Sequence, residues 1–142
     1  MNRRDAIKAV GATVLLAAVS AEAKMKEEYF NRYEMKPENP LKLTSDELKH
    51  TPLITLKEKD AKGYTIVEIT VGQAGIIHPS EQDHWIDFIE LYADGALVGK
   101  SVLEPEISRG MALFAVKLNN VAQLKAKAGC NIHGVWTSEL SI

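Results

Sequence analysis

The chain has a single cysteine in 142 residues. One thiol excludes an intrachain disulfide framework, and it excludes a four-cysteine zinc or rubredoxin-type iron centre built by this chain alone. An excess of charge of one sign is also missing. Seventeen Lys and Arg stand against nineteen Asp and Glu, a formal net charge of −2, so the chain lacks the basic footprint of a nucleic-acid binder. No apolar run is long enough for a helix that spans a membrane. The longest, Ala9 to Val19, is 11 residues, whereas a helix needs about 20 to cross a bilayer. No cysteine follows that run, which excludes a lipoprotein, and no internal repeat or low-complexity segment is visible.

What is present begins with a stretch that reads as a bacterial export signal. Residues 1–23 carry a basic head with Arg3, Arg4 and Lys8, the apolar run, and a small-x-small site at Ala21-Glu22-Ala23. The adjacent arginines point to the twin-arginine route, although Ala6 stands where a bulky residue is usual; a Sec signal or an uncleaved anchor helix is the alternative. The expected location is the periplasm. Removing this segment takes away a net charge of +1 and leaves a mature chain at −3. Residues 24–41 read as an arm or short helix, broken by Pro37 and Pro40. Residues 42–142 remain as one domain. Nearly half of the whole chain is apolar, enough for a real core.

Within that domain the pattern is β. Thr44-Ser45-Asp46-Glu47 reads as the cap of one helical turn just before the first histidine. Leu53 to Leu56, Tyr64 to Val71, Trp85 to Tyr92, Ala96 to Leu103, Met111 to Leu118, Val121 to Ala128 and Val135 to Ile142 read as strands. A charged turn is expected over Lys57 to Gly63 and a tight loop over Gly129 to Gly134. About seven short strands with regular turn signals and little helix predict an all-β, immunoglobulin-like sandwich.

All four histidines and the cysteine stand where metal ligands are expected. They are His50, His78, His84, Cys130 and His133. Imidazoles with one thiolate suit a borderline-soft transition metal such as iron, copper or zinc. Cys130-x-x-His133 is flanked by Gly129 and Gly134, which are expected to turn the backbone and aim N–H groups at the sulfur. Pro79 beside His78 argues against one straight strand through His78 and His84. A loop entering a strand brings the two rings together instead. Five protein ligands leave one octahedral position free, which points to redox chemistry on a small molecule.

The strings His78-Pro79, His84-Trp85-Ile86, Ile89-Glu90-Leu91 and Cys130-Asn131-Ile132-His133-Gly134-Val135-Trp136 closely resemble the desulfoferrodoxin/neelaredoxin family of superoxide reductases. Lys49-His50-Thr51-Pro52 looks like that family's N-terminal motif. The resemblance implies one iron per chain, with His50, His78, His84 and His133 equatorial and the Cys130 thiolate axial. It implies one-electron reduction of superoxide to hydrogen peroxide. Lys49 then has a catalytic role, attracting the anion and stabilising developing negative charge. It also implies an external electron donor, a small cytochrome or rubredoxin-like protein, and a homo-oligomer such as a tetramer. One position departs from the pattern: Leu48 stands where the family places a glutamate that caps ferric iron. Two other classes stay open at this level. One is a cupredoxin-like electron carrier, against which stands the lack of a methionine after His133. The other is a non-catalytic metal or sulfur-carrier module on a similar sandwich.

Overall fold

Alternating burial makes the centre of the fold. In Thr65–Val71 every second side chain, Thr65, Val67, Ile69 and Val71, is buried, as a strand with one face on a core requires. The computed structural model describes residues 32–142. Within them lie eight strands and one short helix. In chain order they are β1 (Glu34–Met35), α1 (Ser45–His50), β2 (Pro52–Lys59), β3 (Thr65–Val71), β4 (Ile86–Ala93), β5 (Ala96–Val102), β6 (Met111–Val116), β7 (Gln123–Cys130) and β8 (Gly134–Ser141). None of the described helices is long and apolar enough to cross a membrane.

The strands form a five-stranded sheet, β1-β8-β7-β4-β5, and a three-stranded sheet, β2-β3-β6. Every pairing is antiparallel except β1 on β8, which is parallel. The core lies between them. Val67, Ile69, Val71, Ala112 and Val116 from the small sheet meet Ile89, Leu91, Leu124, Ala126 and Ala128 from the large one. This is a two-layer β-sandwich.

Three local expectations change. The charged residues Lys57 to Lys59 continue β2 on an exposed edge, and the turn is closed later by Asp60, whose carboxylate accepts from the N–H groups of Lys62 and Tyr64. Strand β7 begins at Gln123 rather than Val121, because the Asp94 carboxylate takes the N–H groups of Ala122 and Gln123 at the neighbouring hairpin. Gly129 and Cys130 belong to β7, so the tight loop is only residues 131–133. Of the two flanking glycines, only Gly134 has the left-handed backbone of a turn (φ +93°). Gly129 is needed for space: an added Cβ would collide with the Phe88 ring and lie 2.6 Å from the Asp87 carboxylate. The arm contributes the eighth strand, the two-residue β1. The expected signal, residues 1–23, and the first part of the arm lie outside the described residues.

Candidate metal centre

Each of the five donors is carried by a different local device. His50 is the last residue of α1. The helix starts with a capping box: Thr44 Oγ1 accepts from Glu47 N–H, and the Glu47 carboxylate accepts from Thr44 N–H. His50 Nδ1 donates to the Asp46 carbonyl at 2.7 Å. A carbonyl only accepts, so Nδ1 carries the proton and Nε2 presents a lone pair. His78 repeats the arrangement, with Nδ1 donating to the Pro79 carbonyl at 2.7 Å. Its approach depends on Gly72 (φ +95°), where a Cβ would press on the backbone of Ile76 and His78. His84 closes a tight turn, exchanging backbone hydrogen bonds with Glu81 at 2.9 and 3.1 Å. Cys130 ends β7 and His133 ends the turn that follows.

These devices converge. The donor atoms of His50, His78, His84 and Cys130 all lie within 4.8 Å of one another. His133 completes the set: its Nδ1 is 3.1 Å from His50 Nε2, 3.2 Å from His84 Nε2 and 3.5 Å from Cys130 Sγ. The rings form a closed cycle. Neighbouring centroids, in the order His50, His78, His84, His133, are 4.9, 4.6, 4.8 and 4.9 Å apart, and each pair is nearly perpendicular. His50 and His84 face each other across the cycle at 6.1 Å.

The arrangement fits a transition metal. One proton on His133 Nδ1 cannot satisfy the lone pairs of His50, His84 and Cys130 together. His78 Nε2 is buried with no protein partner, a costly state unless something else fills it. His133 Nδ1 stands 3.1 and 3.2 Å from the nitrogens of its two neighbouring rings, the close spacing of adjacent donors that share one ion.

Burial holds these groups in ligand form. It pushes His78 down to about 3 and His84 down to about 4, with the neighbouring imidazoles adding to the shift, so both rings are neutral at pH 7. Burial also pushes the Cys130 thiol up, while the N–H groups of Ile132 and His133 pull it back by bonding the sulfur. A metal supplies the positive charge that turns this thiol into a thiolate.

Lys49 is half-buried next to His50; burial lowers the pKa of His50, and the Lys49 charge adds a smaller push in the same direction on His50 and His84. Glu47 is engaged elsewhere: its two carboxylate oxygens accept from Glu38 N–H at 3.0 Å and Thr44 N–H at 2.8 Å. A groove of about 540 Å³ between the arm, β2 and β8 contains none of the five donors.

Two residues quoted only as part of the motif prove structural. Asn131, fully buried, accepts from Trp85 N–H at 2.9 Å and donates to the Asp83 carbonyl at 2.8 Å. It clamps the His84 turn to the Cys130 turn. Trp136 stacks on His50 at 5.4 Å, and its indole N–H bonds the His133 carbonyl at 2.9 Å. The only sequence signal for Asn131 was a short amide between two ligands.

A two-layer β-sandwich with a four-imidazole, one-thiolate site defines a class of mononuclear metalloproteins. Comparison with known proteins narrows it. The family model described as Desulfoferrodoxin matches residues 42–139. A desulfoferrodoxin of Nitratidesulfovibrio vulgaris is 42% identical over 106 residues, covering 70% of this chain and 74% of that protein. A superoxide reductase of Pyrococcus abyssi is 35% identical over 104 residues, 66% of this chain and 87% of that one. Among solved structures, the superoxide reductase (neelaredoxin) of Ignicoccus hospitalis is similar, with a TM-score of 0.60, 29% identity and coverage of 82% and 94%. This chain belongs to the desulfoferrodoxin family.

Proposed function

We infer that this chain is a superoxide reductase with one iron, held by His50, His78, His84, His133 and Cys130. The observation that carries the reading is the closed ring of four imidazoles with a buried sulfur against it. A His₂Cys copper carrier would leave two rings without a role. Iron, when bound, supplies the electron that superoxide needs; with two protons the product is hydrogen peroxide. The protein supplies the rest. Cys130 and His78 seal the inner side. The exposed His133 ring and half-buried Lys49 leave the solvent side as the approach for a small anion. Lys49 draws that anion in and stabilises the charge that develops on it. Leu48 offers no donor atom, and Glu47 is held by the helix cap, so neither closes that approach.

The finer architecture is immunoglobulin-like. The pairings β2-β3-β6 and β8-β7-β4-β5 support this, following the A-B-E and G-F-C-C′ order of such folds. Residues 24–41 serve as an arm and 42–142 as the iron domain, a border supported by the start of the family match. The basic head, apolar run and Ala21-Glu22-Ala23 support periplasmic export by the twin-arginine route. Leu97, Val102 and Leu113, exposed on the edge strands β5 and β6, support a homo-oligomer. The electron comes from an external donor protein.

The test is anaerobic purification with metal analysis, followed by pulsed superoxide. Stoichiometric iron and one peroxide per superoxide are expected. Bound zinc or copper without turnover would refute the assignment.

A further inference from the structure

On the outer face of the large sheet, behind Cys130, lies an ion pair that the chemistry above does not use. Strand β4 bulges against β7: Ile86 pairs with Cys130 and Phe88 with Gly129, so Asp87 is the extra residue. Bulges re-aim side chains, and they recur beside functional sites. Here the bulge presses the Asp87 carboxylate onto Gly129, the residue before Cys130. The Phe88 ring covers the same glycine, and the Asp87 side chain is 16% exposed. A like charge this close to an anionic ligand is unfavourable if uncompensated.

The compensation comes from the arm. Arg32 bonds both Asp87 oxygens, at 2.5 and 3.2 Å, and its guanidinium lies 5.6 Å from the Phe88 ring centroid. Lys100 stands 4.7 Å from the same ring, but it is paired with Glu90 at 3.5 Å. Among the described residues, Asp87, pressed on Gly129, and Arg32, bonded to Asp87, are therefore charges near Cys130 that the site itself does not use.

The geometry points to Arg32 and Asp87 as a positioning pair that sets the charge felt at the Cys130 sulfur and so the balance between ferrous and ferric iron. This rests on the iron reading above. Oxidation adds one positive charge to the centre. Removing the Arg32 charge leaves Asp87 to stabilise the oxidised centre and lowers the midpoint potential; removing the Asp87 charge raises it. The intact pair nearly cancels. Arg32 is 43% exposed, so its share is screened by salt.

The test uses iron-loaded full-length protein and the variants Arg32→Gln, Arg32→Lys, Asp87→Asn and the double variant Arg32→Gln with Asp87→Asn. Iron content, the sulfur-to-iron charge-transfer band and the midpoint potential are measured at low and high salt. Arg32→Gln should shift the potential down and Asp87→Asn should shift it up. Arg32→Lys and the double variant should stay near the native value. The Arg32→Gln shift should shrink at high salt. Single variants with native potentials, or both shifting in the same direction, would overturn the pair. Both single variants break the ion pair that holds the arm, so lost arm packing would move the potential in one direction in both and cannot produce opposite shifts. Native protein lacking iron or the sulfur band would instead overturn the metal reading itself, and this inference with it.

Discussion

The two halves of the metal centre are held in different ways. Cys130 and His133 sit on the β7–β8 hairpin, where backbone pairing runs unbroken from Gln123↔Ser141 to Cys130↔Gly134. His78 and His84 sit on residues 72–85, which have no ladder beyond a single bridge between Glu81 and His84. Side chains replace the ladder there. Gln73 bonds the Thr51 carbonyl, Ser80 bonds the Ser108 carbonyl, and Asn131 takes both Asp83 and Trp85. A hairpin fixes its donors through the fold itself. A pinned loop fixes them through a few replaceable contacts, so metal retention and fold stability should separate on one side of the site and not on the other.

The largest effect expected concerns the hairpin donor. Cys130→Ser should abolish the charge-transfer band and reductase activity, since serine supplies no thiolate, while the unbroken ladder keeps the fold. A band that survives in the visible spectrum would show the sulfur is not a ligand. Next comes the clamp between the halves. Asn131→Ala removes both side-chain bonds that join the His84 turn to the Cys130 turn, and should cost about 1–3 kcal/mol. Denaturant unfolding measures that cost, and chelator competition should show faster iron loss. If retention is native, the loop does not depend on this clamp.

A third effect distinguishes the loop by pH. In metal-free protein His78 and His84 have folded pKa values of about 3 and about 4, below the ordinary value of 6.5. The unfolded chain therefore binds more protons between these limits, so stability rises with pH there and is lost as pH falls from about 6.5 toward 3–4. Thermal melts of the metal-free protein should decline across that window, and the decline should weaken in His78→Gln. The smallest effect belongs to Lys49. Lys49→Ala should slow the reaction with superoxide by roughly three- to tenfold at low salt and flatten its salt dependence. Stopped-flow or pulse-radiolysis rates at two ionic strengths check this.

Much of the site was legible because imidazole and thiolate are rare and chemically specific. The strands were legible wherever one face is buried: Val67, Ile69 and Val71 alternate in the sequence as they do in the sandwich. What escaped depends on partners distant in the chain. Gly129 looked like a turn residue, but its constraint is the Phe88 ring on β4, placed there by a bulge that no local pattern reveals. Asn131 gave no hint of its two bonds to residues 83 and 85. Strand β1 is two residues long, and its pairing with β8 is decided by register rather than by composition.

That small strand has a consequence for solubility. The end of β8 nearest the metal would otherwise offer free backbone groups to any extended chain, the usual seed of strand addition and aggregation. Glu34 and Met35 occupy that end against Val135 and Trp136, Tyr33 accepts from Val135 N–H, and the Met35 carbonyl accepts from Thr137 at 3.4 Å. A version trimmed to residue 42, where the family match begins, would keep all five donors and lose this guard. The two residues of β1 therefore protect the protein from its own neighbours.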